Sequence, residues 1–264
     1  MRFPLAFFFF VLAGLRGDSG GSWREVAPGL EVARLSSARG GPDITVVRVD
    51  PHRYRFTVLS ARLEGVSPVP TVQEWASRYR LTGVINASMF QEDQLTSVGY
   101  LKSRDRVGPG AWSRDQAVFV SEPRRSGLPP VQLLDRSCQP ASRLAGSYRM
   151  AVQSIRMLDC RGRNLWTRQP PQGGIACVGL DRSGRVLLVH VRDNYNVYDL
   201  IEDLKALPLQ VARLMYVEGG RQAALHVVVG GRTVVSESGS GGAGLLRAFM
   251  ADSRLPNVIG FAPR

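Results

Sequence analysis

Short apolar runs separated by tight-turn sequences are the feature that most limits the folds open to this 264-residue chain. The clearest pair comprises residues 175–180 and 185–191, joined by the turn sequence Asp181-Arg182-Ser183-Gly184. Apolar runs joined in this way are typical of antiparallel hairpins. Two further pairs follow the same pattern, residues 44–49 with 54–60 and residues 223–229 with 232–235. The sequence therefore predicts a chain dominated by hairpins.

Two helix starts interrupt the strands. The sequence Thr71-Val72-Gln73-Glu74 is a capping box, which predicts a short helix to about Arg80. Asn196 precedes a second predicted helix, residues 197–207, which Pro208 ends. Because hairpins outnumber crossovers and no linker composition is visible, we expect an α+β fold. It would be a single domain over residues 23–264, with a mainly antiparallel or mixed sheet and a few helices packed on it.

The first 17 residues have the pattern of a secretory signal peptide. One cation, Arg2, precedes an apolar run at residues 3–15 that is too short to span a bilayer. A buried N-terminal strand fits less well, because residues 17–22 are polar and glycine-rich. We therefore expect a secreted or periplasmic protein, with no transmembrane segment once the signal peptide is removed.

The formal net charge of +12 raises the question of nucleic acid, but the distribution of cations argues against it. All cationic residues except Lys102 and Lys205 are arginines, and they are scattered along the chain without a basic block. This pattern is typical of compositional bias, and we expect no nucleic-acid partner. The oligomeric state is left open.

The three cysteines do not have the spacing of a zinc or redox motif, so we expect no metal and no cofactor. In an oxidising compartment Cys138 and Cys160 could pair and close a loop of about 22 residues. Cys177 lies in an apolar run and is interpreted as a small buried side chain.

Three stretches carry polar residues where chemistry is plausible. In VINASMF, residues 84–90, Asn86 ends a strand and can either orient a substrate or cap a turn, and the turn is favoured. In residues 151–166, Gln153 and Arg156 stand among apolar residues. Arg156 can bind a phosphate or a carboxylate, or it can be an ordinary surface arginine.

The third stretch, YVEGGRQAAL at residues 216–225, places Glu218 directly between an apolar strand and Gly219-Gly220. Glycines allow the backbone to approach a ligand closely, and Arg221 follows as a possible anion contact. A carboxylate buried at this position would have a raised pKa. The alternative is a surface hairpin with a solvated glutamate and arginine.

Taken in order, these stretches resemble the phosphodiester glycosidase family. The resemblance rests on WREVAPGLEVARL, VINASMF, VQSIRML, the GLDRSGRVLLVHV hairpin, DLIEDLKALPL, YVEGGRQAAL and LPNVIGF, and it runs from about Trp23 to the C-terminus. It implies hydrolysis of a sugar–phosphate diester. Glu218 and Asn86 would be catalytic, and the substrate would contact the following residues: Ser88, Gln153, Arg156, Gly219, Gly220 and Arg221.

The chain departs from the family pattern at three places. The family more often has Asp-Gly-Gly where this chain has Glu218-Gly219-Gly220, and Asn-Ala-Gly or Asn-Gly-Gly where it has Asn86-Ala87-Ser88. An Arg-Thr pair common in the family is Gly174-Ile175 here, which removes an anion contact. The alternative function is therefore a non-catalytic module that binds a glycan or another envelope component on the same scaffold.

Overall fold

The computed structural model describes residues 23–37, 39–171, 173–239 and 254–264. The predicted signal peptide, residues 1–17, lies outside them. The described strands are β1 (Arg24–Ala27), β2 (Leu30–Leu35), β3 (Ile44–Val49), β4 (Tyr54–Ser60), β5 (Gly83–Asn86), β6 (Leu101–Ser103), β7 (Arg106–Val107), β8 (Ala117–Pro123), β9 (Val131–Asp135), β10 (Tyr148–Arg156), β11 (Ile175–Asp181), β12 (Val186–Val191), β13 (Val211–Gly219), β14 (Ala224–Val229), β15 (Arg232–Ser238) and β16 (Asn257–Pro263). The helices are α1 (Ala61–Glu64), α2 (Val72–Tyr79), α3 (Ala141–Gly146) and α4 (Val197–Ala206), with a 3₁₀ turn at Gly220–Gln222.

These strands form two sheets. The larger sheet has eleven strands, with the main order β1-β2-β3-β12-β11-β13-β10-β6-β7; β8 also pairs with β10, and β9 pairs with β8. The smaller sheet has five strands in the order β15-β14-β5-β16-β4. Each strand pairing in these sheets is antiparallel, and β11 and β12 form the hairpin that the turn at residues 181–184 predicts.

The predicted α+β class is wrong, because the described part of the chain is β-rich, with 45% of its residues in strands and 14% in helices. The physical reason lies in the connections. Most neighbouring strands are joined by turns or irregular loops, and the helices are only 4, 8, 6 and 10 residues long. Each helix therefore covers a patch of sheet and does not form a layer comparable to the sheets.

The main hydrophobic core lies between the two sheets. Leu188 of β12 and Met215 of β13 pack there with Ile85, Leu225 and Phe261 of the smaller sheet, and all five side chains are buried. The neighbouring residues Leu187 and Val189 of β12 pack in a different cluster. Strand β12 is thus covered on both faces, which explains why its sequence is apolar without alternation.

Helices α2 and α4 cover the outer faces of the sheets. Trp75 of α2 packs on Val84 and Val258 of the smaller sheet. Both hydrogen bonds of the predicted capping box are present, from Thr71 N to Glu74 Oε2 and from Glu74 N to Thr71 Oγ1, at 2.8 and 3.2 Å.

Helix α4 packs through Leu200, Ile201 and Leu204 on the larger sheet. Asn196 Oδ1 caps it by accepting a hydrogen bond from Tyr198 N at 2.9 Å. None of the helices in the described ranges is long and apolar enough to cross a membrane.

Candidate functional site

Glu218 stands at a break in the pairing between β11 and β13. Ala176 lies opposite Glu218, but the next residue, Cys177, lies opposite Tyr216, so β13 has one extra residue here. Such a bulge bends a strand and redirects its side chains. Directly beyond Glu218, the chain leaves the sheet through Gly219 and the 3₁₀ turn Gly220–Gln222.

The turn after Glu218 is held by side chains from both sheets. Asn86 of β5 donates from Nδ2 to the carbonyl of Gln222 at 2.8 Å, and its Oδ1 accepts from Ala224 N at 2.8 Å. Asn86 is 1% exposed, so its amide group faces backbone atoms of the turn. The structure therefore places Asn86 as a support for the segment that carries Glu218.

His190 supports the same segment from β12. Its Nε2 lies 3.1 Å from the carbonyl oxygen of Ala223 and donates to it, since a carbonyl only accepts. Burial lowers the pKa of His190 to about 4, so the ring is neutral near pH 7. Ala176 lies opposite both His190 and Glu218, which places the two side chains two strands apart in one row.

Glycines allow three distant backbone segments to meet beside this turn. A side chain at Gly174 would lie 2.8 Å from Gly239 Cα and 3.0 Å from the carbonyl of Arg192, and one at Gly239 would overlap the carbonyl of Gly220. The amide of Gly220 also donates to the carbonyl of Gly174 at 2.8 Å. The backbone next to Glu218 is thus packed too closely for any side chain.

A cavity of about 330 Å³ opens beside this packed backbone, and Glu218 is one of its walls. Three aromatic residues, Trp166, Tyr195 and Tyr216, are among the other lining residues. The remaining lining residues are polar, aliphatic or glycine: Thr167, Gln169, Pro170, Gly173, Gly174, Ile175, Asn196, Val197, Gly219 and Gly220. Concave sites of this size that combine aromatic side chains with polar groups are typical of small-ligand binding.

Glu218 is a strongly perturbed carboxyl group in the wall of this cavity. Its side chain is 8% exposed, and burial raises its pKa from 4.5 to about 7, although a hydrogen bond from Gly219 N to Oε1 at 2.9 Å opposes the shift. Burial, with a contribution from the nearby Glu218 charge, also raises the pKa of the Tyr216 phenol. A carboxyl group with a pKa near neutrality can accept or donate a proton at physiological pH.

The structure places Gln153 outside the cavity lining, where its amide joins two loop segments. Its Oε1 accepts from Tyr100 N and Ser113 N at 3.1 and 3.0 Å, and its Nε2 donates to the carbonyls of Ser113 and Asp115 at 3.2 and 2.6 Å. The side chain is fully buried. Ser88, also buried, bonds to Ser97 through the two hydroxyl oxygens, 2.8 Å apart.

Arg156 also lies outside the cavity lining and is paired within the protein. Its Nη1 lies 2.8 and 3.0 Å from the two carboxylate oxygens of buried Asp135 and also contacts Ser137 Oγ. Cys138 and Cys160 form a disulfide beside this pair. Asp135 and these two cysteines are the one cluster of metal-ligand residue types in the described ranges, but the disulfide leaves no thiolate to bind an ion.

The predicted residues that converge are therefore those of β13 and its turn. Glu218, Gly219 and Gly220 line the cavity, and Arg221 follows on the exposed outside of the 3₁₀ turn. The sequence interpretation missed Trp166 and Tyr195, because the loop at 157–174 and the segment before α4 have no periodic pattern. One usable signal was present: Asn196 marks a helix start, and helix starts often border sites.

Comparisons with known proteins relate the chain to others by structure alone. No protein-family model matches the chain, and no curated protein matches it in sequence. The auto-inhibited catalytic domain of zebrafish N-acetylglucosamine-1-phosphodiester α-N-acetylglucosaminidase is similar, with a TM-score of 0.64 and 14% identity over 93% of this chain and 87% of that one. The likeness is one of fold.

A second solved structure, of a hypothetical protein from Synechocystis, has a TM-score of 0.63 and 14% identity. The match covers 92% of this chain and 64% of that one. Identities this low establish a distant fold relationship, so the activity of this chain has to be argued from its own residues.

Proposed function

We propose that the protein is an exported hydrolase that cleaves a sugar–phosphate diester, a phosphodiester glycosidase. The observation that carries the proposal is Glu218, a buried carboxyl group with a pKa of about 7 in the wall of a ligand-sized cavity. The likeness to the zebrafish phosphodiester α-N-acetylglucosaminidase domain supports the same choice through the fold. Export is proposed from the predicted signal peptide.

In this mechanism Glu218 acts as the base. Its carboxylate takes a proton from a water molecule, and the water oxygen forms a bond to the anomeric carbon of the sugar. The bond from that carbon to the phosphate oxygen breaks, and its electron pair leaves with the phosphate. Because a phosphate monoester is a good leaving group, the reaction needs less help from an acid than ordinary glycoside hydrolysis.

Arg221 is the proposed partner of the phosphate. The diester carries one negative charge and the departing monoester carries a second, so a cation is needed where the new charge develops. Arg221 lies three residues after Glu218, on the exposed 3₁₀ turn. Asn86 and His190 would act through the turn, as positioning residues. Arg156 and Gln153, which the sequence predicts as substrate contacts, are not included, since both lie outside the cavity lining.

The test is hydrolysis of a panel of sugar–phosphate diesters, including nucleotide sugars, by the native protein and by Glu218→Gln. We expect Glu218→Gln to lose about 10³-fold in kcat, the range of a general base, while its circular dichroism spectrum is unchanged. Because the base acts as the carboxylate, kcat/KM should rise with pH through about 7. Glu122→Gln, outside the cavity lining, is the matched control and should retain activity. Activity in Glu218→Gln equal to the native rate would refute this role.

A second candidate function is a non-catalytic glycan-binding module. The observation that favours it is that Glu218 is the one acidic residue among the described residues that line the cavity, so a second carboxyl group is absent from that lining. This alternative predicts saturable glycan binding by the native protein without release of product from any diester in the panel.

A further inference from the structure

Three aromatic residues stand in the walls of the cavity beside Glu218, and the polar groups of two of them, Trp166 and Tyr195, are already hydrogen-bonded to the protein. The rings of Trp166 and Tyr216 lie with centroids 5.2 Å apart at 41°. The indole Nε1 of Trp166 donates to the carbonyl of Arg156 at 3.1 Å. Trp166 therefore offers the cavity its ring surface.

Tyr195, on another wall, is fixed in the same manner. Its hydroxyl donates to the buried carboxylate of Asp203 at 2.5 Å and lies 3.0 Å from Ser37 Oγ. A side chain at Gly41 would overlap its ring, so the backbone packs directly on the phenol. With its hydroxyl engaged and its ring held, Tyr195 also presents carbon atoms to a ligand.

The formal charge of the described cavity lining is negative. The described residues that line the cavity include no lysine, arginine or histidine, and Glu218 is their one acidic residue. Thr167, Gln169 and Asn196 supply uncharged polar groups. An anion inside the cavity would meet the buried carboxylate of Glu218, against which the described lining sets no full positive charge but only the partial positive charge of the α4 N-terminus at Asn196 and Val197. Coulomb repulsion from the carboxylate is stronger at a buried site than in water.

We propose that this cavity is a subsite for one uncharged sugar ring, and that it rejects sugars that carry an acidic substituent. The ring would lie against Trp166 and Tyr216, where the apolar C–H face of a pyranose matches an aromatic surface, and its hydroxyls would face the uncharged polar groups. The proposal rests on the proposed function, because it assigns the cavity to the sugar end of the diester. The phosphate then lies outside, on the side of Arg221.

The test is binding of free sugars, which needs no catalysis. Glucose and N-acetylglucosamine are titrated at pH 8 against glucuronate, with tryptophan fluorescence and saturation-transfer NMR as readouts. We expect the neutral sugars to bind saturably and glucuronate to bind at least about tenfold more weakly, a difference of about 1.4 kcal/mol. In Glu218→Gln the difference between the neutral sugars and glucuronate should shrink to about threefold or less, because the charge is removed.

Two variants test the wall. Trp166→Ala should weaken binding of the neutral sugars by about tenfold or more, in the range of an aromatic contact. Trp112→Ala, which removes a half-buried tryptophan outside the cavity lining, is the matched control and should bind as the native protein does. Should Trp166→Ala fail to fold, Trp166→Phe replaces it, with a retained aromatic ring and an expected loss of about threefold or less.

The outcomes separate this proposal from the proposed function. If neither neutral sugar binds, if glucuronate binds as tightly as glucose, or if Trp166→Ala binds normally, the subsite is refuted, whatever the hydrolysis assays give. If the neutral sugars bind with the expected selectivity but no diester is hydrolysed, the subsite stands and the hydrolase proposal fails in favour of the glycan-binding module.

Discussion

Strands β10 and β13 lie side by side in the larger sheet, and both carry polar residues that the sequence assigns to one site, but the structure uses them differently. On β10, Gln153 makes four hydrogen bonds to backbone atoms, and Arg156 is paired with Asp135. On β13, the Glu218 carboxyl group accepts a hydrogen bond from the amide of the next residue and lines the cavity. A buried polar group with a full set of protein partners stabilises the fold, whereas one with an incomplete set beside a cavity is available for chemistry.

The largest effect expected on the β10 side is on stability. Arg156→Met leaves the buried carboxylate of Asp135 without its cation and should lower the free energy of unfolding by about 3 kcal/mol, the low end for a buried pair because Arg156 is 19% exposed. Urea denaturation measures this loss. The double variant Arg156→Met/Asp135→Leu should recover part of it, and Arg55→Met, an exposed control, should change little. A rise in KM without loss of stability would mean that Arg156 contacts substrate after all.

On β13, in contrast, removal of the charged group should increase the stability of the protein. Because the pKa of Glu218 is raised in the folded state to about 7 from 4.5, the folded protein holds this proton more tightly than the unfolded chain does. Its contribution is complete below pH 4.5 and is lost as the pH rises through 7, on the order of 3 kcal/mol. Glu218→Gln, which does not titrate, should therefore unfold at a higher temperature than the native protein at pH 8, with a smaller difference at pH 5. Equal pH profiles for the two proteins would contradict the burial of this carboxyl group.

Substitution of Asn86 should reduce both stability and catalysis. Asn86→Ala removes two hydrogen bonds to the turn and leaves buried backbone groups without partners, which costs about 2 kcal/mol of stability. Since this turn follows Glu218 almost directly, we expect kcat to fall in Asn86→Ala while KM changes little. Ser88→Ala, a buried hydroxyl bonded to Ser97, is the comparison. If the same loss of kcat occurs in Ser88→Ala, then the effect of Asn86 is not specific to the turn.

Arg221 should have the smallest effect on stability and a distinct effect on kinetics. It is exposed, so Arg221→Ala should leave the thermal midpoint nearly unchanged. Loss of a phosphate contact should raise KM for a diester by about tenfold, and Arg221→Lys should restore part of it. Binding of a neutral free sugar should be unaffected. If Arg221→Ala weakens the binding of free sugar and of diester equally, then Arg221 does not contact the phosphate.

Local sequence signals predicted the individual elements better than their assembly. The turn at residues 181–184 and the caps at Thr71 and Asn196 were correct, because turn and cap chemistry acts within a few residues. The division of the strands into two sheets was not predictable, since an apolar run does not say which strand it pairs with. For the same reason the contribution of the helices to the fold was overstated.

The residues of the candidate site could likewise be predicted only in part. Glu218, which the structure places in the cavity lining, could be proposed from the sequence because a charged residue directly after an apolar strand is visible there. Gln153 and Arg156 were assigned to the substrate because the sequence does not reveal whether a buried polar group already has partners. The aromatic wall formed by Trp166 and Tyr195 was missed, because these residues lie in segments whose position depends on the completed sheets.

The meeting of Gly174, Gly220 and Gly239 has a consequence for how the protein becomes active. These glycines, together with Asn86 and His190, come from distant parts of the chain and from both sheets, yet all of them belong to or contact the segment directly after Glu218. Contacts between residues so far apart in sequence form late in folding, because closing long loops is entropically costly. No single hairpin or isolated sheet contains the site. Activity should therefore return only with the last step of refolding, and loss of either sheet's docking should abolish it completely.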